Sequence, residues 1–436
     1  MAVKSTFVLL LGSTLLLAAC GGGDNVTAEA KQDIQKIIES NTKTISSINP
    51  SNTDFSDLAP FGAAVGNARI VFLTESIHGS GDTMLLNTRL LKYLHQEKGF
   101  DAILIESGMF DLSRMVEMKA ELGVSYLDSA PGRIFFDWSR NEEGRKMVEY
   151  LDTTYASTRP LQLIGIDGLQ AGEASVNELQ PRFEDYLKSI SSTIPQSANW
   201  PTYKKVVSLI ANLSDKTPPS SADLATFKQV SMSLEAALCD TPYVSGELPL
   251  KSKSYWCRMT RTIMNETDYL WNKTGGLDHI PRDKSQAANA QWWLEGPLKG
   301  KKAVIWTHAA HGLSERGAID ETNTGSEMKK YYPGQIHTTL TTNSSAFRCK
   351  TCLPTARDLE FYLQPSQKHL YLAYPSDPAT QTLLSSLAIR QTNFSPVMPN
   401  HFSKGYQSLF YTPSVGVYST DWVKYPAKAW PQKLVN

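Results

Sequence analysis

VFLTESIHGSGD, residues Val71 to Asp82, runs without a break from an apolar stretch into Glu75, His78 and two glycines. Its apolar part, Arg69–Leu73, is short and nearly continuous rather than alternating. That is the pattern of a strand covered on both faces, as in a parallel sheet. From Asp82 to Lys98, Leu85, Leu90, Leu91 and Leu94 recur at near-helical spacing, and Gly99 stands where a left-handed glycine ends a helix. A second apolar run, Ala102–Ile105, follows. Strand, helix, glycine and strand make a βαβ unit. Gly79 and Gly81 let the chain turn between strand and helix, with Asp82 as the expected N-cap.

Working outward, Leu161–Ile166 and Ala303–Trp306 read as two more buried strands, and Ser139–Tyr155 as a helix before the third. The expected fold class is α/β, a mainly parallel sheet flanked by helices. From residue 172 to 281 helical patterns dominate, separated by Pro- and Ser-rich turns, which reads as a helical insertion or cap. The expected α/β catalytic domain is therefore 54–171 plus 282–436. Before it, residues 20–53 read as a tether and an N-terminal helix.

Residues 1–19 have the pattern of an export signal: Lys4, an apolar stretch from Phe7 to Leu17, then Leu-Ala-Ala before Cys20. This resembles a bacterial lipoprotein signal with its lipobox. The resemblance implies lipidation of Cys20, a membrane anchor and a place in the cell envelope. Gly21 after the cysteine points to the outer membrane, with the body facing the periplasm or the surface. The other cysteines, Cys239, Cys257, Cys349 and Cys352, are even in number, which in an exported protein reads as disulfides. Proximity favours Cys239–Cys257 and Cys349–Cys352, although three pairings exist. Lysine plus arginine equals aspartate plus glutamate, 43 each, so no basic excess points to nucleic acid as a partner.

Chemistry gathers at the strand ends. Glu75 and His78 follow the first strand, Glu106 the second, Asp167 the third, and His308 and His311 the fourth. In open parallel sheets ligands bind beyond the carboxyl ends of the strands. A histidine beside a carboxylate suits general-base work, because the carboxylate fixes the tautomer and raises basicity. Read singly, each has a plainer role: Glu106 could pair with Arg89 or Arg133, and Asp167 could cap a turn. No G-x-S-x-G elbow or H-E-x-x-H helix competes. Of the remaining histidines, His95 is expected on the solvent side of its helix.

Glu75-Ser-Ile-His78-Gly79 resembles the G-E-x-x-H-G motif of the erythromycin esterase family. Glu106 stands at the spacing of that family's second glutamate. Phe136-Asp-Trp138-Ser-Arg140, Gly165-Ile-Asp167, Arg282-Asp283 through Asn289 to Trp292, and Trp306-Thr-His308-Ala-Ala-His311 are similar to its later motifs, in order. The resemblance implies a hydrolase for a small-molecule ester or lactone. His78 would activate water, Glu75 and Glu106 would orient or bind, and His308 and His311 would assist the carbonyl. Arg89, Trp138 and Asp167 are the substrate-binding candidates, and no metal or other cofactor is implied. Thr74, Asn87 and Ala309 depart from the family pattern. Two other readings use the same residues: a hydrolase or protease with Zn²⁺ or Mn²⁺ held by the histidines and carboxylates, and a non-catalytic lipoprotein binding haem or another ligand.

Overall fold

The computed structural model describes residues 26–211, 217–271, 279–313, 322–343, 354–389, 398–399, 405–416, 420–421 and 423–426. The signal segment, Cys20, Cys349 and Cys352 lie outside the described residues. Eight strands form one mixed sheet: β1 Thr42–Thr44, β2 Ile70–Glu75, β3 Ala102–Gly108, β4 Gln162–Asp167, β5 Ala303–His308, β6 Ile336–Asn343, β7 Leu370–Ala373 and β8 Ser408–Thr412. Their spatial order is β1-β7-β8-β6-β2-β5-β3-β4. From β8 through β4 every neighbour is parallel, while β7 runs antiparallel to both β1 and β8. The four apolar runs are β2, β3, β4 and β5. The other half of the sheet, built on the threonine-rich β6, has no such signature.

Successive side chains point to opposite faces, and this sorts the core into two layers. Ile70, Phe72, Leu104, Ile164 and Ile305 pack on one face beneath helices α5 Glu173–Ser189, α6 Trp200–Ala211, α7 Ser221–Leu238, α8 Lys253–Trp271 and α9 His279–Glu295. Val71, Leu73, Ile103, Leu163, Val304 and Trp306 pack on the other, beneath α2 Gly81–Lys98 and α4 Glu142–Tyr155. The helical region 172–281 is thus continuous with the core of one sheet face. Asp111, in α3 (Met109–Leu122), docks it by accepting from Ser175 N at 2.9 Å and Ser175 Oγ at 2.6 Å. Cys239 and Cys257 form a disulfide that ties the end of α7 to α8. Among the described residues no helix is long and apolar enough to cross a membrane.

Three local expectations are corrected. The N-cap of α2 is Ser80, whose hydroxyl accepts from Thr83 N, rather than Asp82. Gly79 takes a φ of +89°, which a side chain would resist, so the chain can swing from β2 into that cap. The folded body begins before Asp54: α1 Ala28–Asn41 buries Ile34 and Ile38 against Tyr362, Leu370 and Leu372, and β1 completes the sheet edge. His95 is buried, its Nδ1 2.6 Å from Tyr150 Oη and its Nε2 3.0 Å from Arg159 O.

Thr74 occupies space that Gly312 leaves open. A β-carbon at Gly312 would lie 2.3 Å from Thr74 Cγ2 and 3.0 Å from Thr307 Cγ2. Gly312→Ala is therefore expected to cost about 1–3 kcal/mol of stability from overpacking. Thr74→Ser deletes the methyl but keeps the hydroxyl that donates to Thr339 O at 2.8 Å. Denaturant unfolding of the double variant should recover much of the loss, and strict additivity would contradict this packing.

Candidate active site

The carboxyl end of β2 places Glu75 in a fully buried position. Its Oε1 accepts from His78 Nδ1 at 2.7 Å, and its Oε2 accepts from Trp306 Nε1 at 3.3 Å. The proton of neutral His78 is thereby held on Nδ1, and Nε2 is the nitrogen able to exchange one. The His78 side chain is 23 % exposed, so solvent reaches it. A second carboxylate, Asp137 Oδ2, lies 3.5 Å from the same Nδ1. Burial pulls the His78 imidazole down, but the bond and charge of Glu75, with Glu106 and Asp137, outweigh it and raise it to about 9.

His308 ends β5 and caps the short helix Ala309–Gly312. Its Nδ1 accepts from Ala310 N at 3.0 Å. An accepting Nδ1 carries no proton, so the neutral ring has its N–H at Nε2. The ring centroids of His78 and His308 are 4.7 Å apart. The site thus sets side by side two imidazoles of opposite tautomer.

Arg282, near the start of α9, joins the remaining strand ends. Its Nε and one Nη bond Asp167, the same Nη donates to Glu106 Oε1 at 2.9 Å, and the other Nη is 3.2 Å from His311 Nε2. Glu106 Oε2 accepts from Thr307 Oγ1 at 2.7 Å and His308 N at 2.9 Å. Burial pushes this carboxyl up, but His311, Arg282, His78 and the His308 N–H hold it well below the usual range. His311 Nδ1 is 2.7 Å from Asp283 Oδ1, which also accepts from Thr324 N and Oγ1. Burial lowers the His311 imidazole, yet Asp283 and Glu106 raise it overall.

Glu75, His78, Glu106, Asp167, His308 and His311 are therefore brought together. Trp138 is fully buried behind them, edge-on to Trp306 at 5.7 Å. Arg89 is not among them: it faces the N-terminal segment, bonding Ser47 O, Asp54 O and both oxygens of Asp57. The partner of Glu106 is Arg282 rather than Arg89 or Arg133. Asp137, Arg282 and Asp283 were missed as functional residues, although each stands inside a motif quoted above. Buried strand-end carboxylates require a cation, and that requirement was the signal for Arg282. His279, whose ring lies 6.1 Å from that of His311, also adjoins the site. Among the described residues no group of three or more His, Cys, Asp or Glu is arranged to hold a metal ion. The cation between Glu106 and Asp167 is a guanidinium.

Comparison with known proteins bears on the family and the fold. The model of the erythromycin esterase family matches residues 95–349. YbfO of Bacillus subtilis (strain 168), provisionally named a hydrolase, is 24 % identical over 289 residues, 61 % of this chain and 60 % of that protein. The chain thus matches about 60 % of the length of that curated relative. Erythromycin esterase type I of Escherichia coli is 28 % identical over 127 residues, 29 % of this chain and 30 % of its own. The fold is shared with a Bacillus cereus protein of known structure (TM-score 0.69, 18 % identity, 88 % of this chain and 97 % of that one). It is also shared with a mutant of the erythromycin esterase EreC in its open conformation (TM-score 0.61, 15 % identity, 86 % and 98 %).

The site should leave a mark on stability. His78 holds its proton more tightly folded than unfolded, so its contribution is complete below about pH 6.5 and is lost as pH rises through about 9. Unfolding free energy is expected to fall across that window by up to about 3 kcal/mol. His78→Gln should flatten that slope in denaturant titrations at several pH values. An unchanged slope would show that the Glu75–His78 pair is not the source.

Proposed function

The chain belongs to the erythromycin esterase family, and from that membership we propose that it is a hydrolase that opens an ester or lactone with water activated by His78. The observation that carries this reading is the His78 imidazole, fixed at Nδ1 by buried Glu75 yet 23 % exposed beside His308. In the proposed step, neutral His78 takes a proton from water at Nε2 while the water oxygen bonds to the substrate carbonyl carbon. Glu75 stabilises the imidazolium formed, through the Nδ1–H bond. The Nε2–H of His308 donates to the oxyanion. The imidazolium then returns its proton to the leaving alkoxide, giving a carboxylic acid and an alcohol.

His311 is assigned a narrower part than the resemblance implied. Both its nitrogens face protein partners, so it braces Glu106 and Asp283 rather than reaching the carbonyl. The Arg282 guanidinium already pairs with both Glu106 and Asp167, which supports a reaction without metal. We further propose that Cys20 carries a lipid anchor and that the enzyme works in the cell envelope on a small-molecule substrate.

Two measurements test the hydrolase. His78→Ala should abolish turnover on a panel of esters and lactones, while a chelator should leave the wild-type rate unchanged. The pH profile is the sharper one. With His78 at about 9, only about one molecule in a hundred carries the free base at pH 7. Log kcat/KM should therefore climb with unit slope towards pH 9. A rate that instead falls through pH 9 would make the imidazolium the active form and overturn the general-base assignment.

A further inference from the structure

His308 is not the only ring beside His78. The Phe135 ring centroid lies 5.5 Å from that of His78. Phe135 belongs to an aromatic cluster: its ring is 4.3 Å from Phe136 and 5.9 Å from Trp138, and Trp138 in turn meets Trp306. Phe136, Trp138 and Trp306 are buried, whereas Phe135 is only partly buried. It is the member of this cluster that comes to the surface, next to a base that solvent also reaches. Phe135 is also the N-cap of the short helix Phe136–Ser139, where its side chain can make no capping bond. Ser, Thr, Asp or Asn is favoured at such a position. A local preference set aside in this way is expected chiefly at functional sites. The ring is positioned from β3: Phe135 N donates to Ser107 Oγ at 3.1 Å, and Ser107 Oγ donates to Arg133 O at 3.3 Å. Ser107 directly follows Glu106 on that strand.

We infer that Phe135 is a specificity-determining residue, an apolar shelf beside His78 that selects substrates with an alkyl or aryl substituent next to the carbonyl. The effect on rate rests on the hydrolase reading above, but the shelf's affinity for an apolar group does not. The two rings that flank the imidazole offer different surfaces. His308 presents an N–H for the carbonyl oxygen, and Phe135 presents only carbon. An anionic substituent laid on Phe135 would lose hydration and would meet the Glu75 and Asp137 carboxylates that face the same imidazole. An alkyl group there releases water from the ring. An aryl group can also take the tilted packing that the cluster already uses. A residue that merely shielded the base would affect every substrate alike, whereas a shelf acts on the dependence upon chain length.

The test uses straight-chain methyl ketones, from acetone to methyl pentyl ketone, as carbonyl probes that cannot be hydrolysed and can dock in either direction. Their binding is followed through the His78 ring signals by histidine NMR, on wild type, Phe135→Ala and Phe135→Leu. In wild type the dissociation constant should tighten by up to about fourfold for each added methylene. Phe135→Ala should flatten that dependence, and Phe135→Leu should keep most of it. If Phe135→Ala fails to fold, Phe135→Ser, which supplies a hydroxyl favoured at an N-cap, reads the same slope. A wild type with no dependence on chain length, or with no response to any ketone, overturns the shelf. So does a Phe135→Ala that binds every ketone more weakly but keeps the wild-type slope. The rate is read on esters lengthened on the acyl side or on the alcohol side. In one of the two series wild-type kcat/KM should rise with length, and Phe135→Ala should remove that rise. If His78→Ala still hydrolyses these esters, the hydrolase assignment fails, while the ketone slope continues to read the shelf.

Discussion

The arrangement at the sheet's edge depends on the Arg282 guanidinium. β3 and β4 each end in a buried carboxylate, and two such charges in a dry interior would repel each other and lose their hydration. Arg282 bonds both, through the planar fork that suits carboxylates. Because Arg282 sits on α9, the same bonds fasten a helix of one face layer to strands of the core. His311 and Asp283 extend that frame to β5 and to Thr324. Fold and site are therefore held by one network, and removing the cation would be felt in both.

The two halves of the site differ in character. Around Arg282 every charge has a partner and every group is nearly buried, which suits a rigid frame. Around His78 there are more carboxylates than cations, and solvent has access. The excess negative charge is what raises the imidazole, so it holds its proton through neutral pH and releases it only towards pH 9.

The legible part of the fold was the part buried on both faces by apolar side chains. β2, β3, β4 and β5 need apolar residues on each side, so they stand out as runs. β6, Ile336–Asn343, carries threonines that meet Asn87 and Glu360 and a histidine that meets Ser408, and β1, β7 and β8 span five residues or fewer. Such strands carry no local signal, because their pairing comes from neighbours distant in sequence. The same logic divides the site. Glu75, His78, Glu106, His308 and His311 are chemically conspicuous where they stand. Arg282 and Asp137 look like ordinary charged residues at helix starts until their partners are known. Arg89 misled for the converse reason: it is a conspicuous arginine close after His78, although Asn87 holds the family's position, and the face of α2 it occupies turns it towards Asp57.

The position of β1 has a consequence for behaviour at high concentration. A sheet ending at β7 would present an open row of backbone donors and acceptors, able to recruit a strand from another molecule. β1 covers that row and is itself only three residues long, with exposed Lys43 at its centre. A short edge with a charge in the middle is a poor template for intermolecular pairing. The N-terminal segment thus acts as a guard against aggregation, which matters most for molecules crowded side by side on a surface.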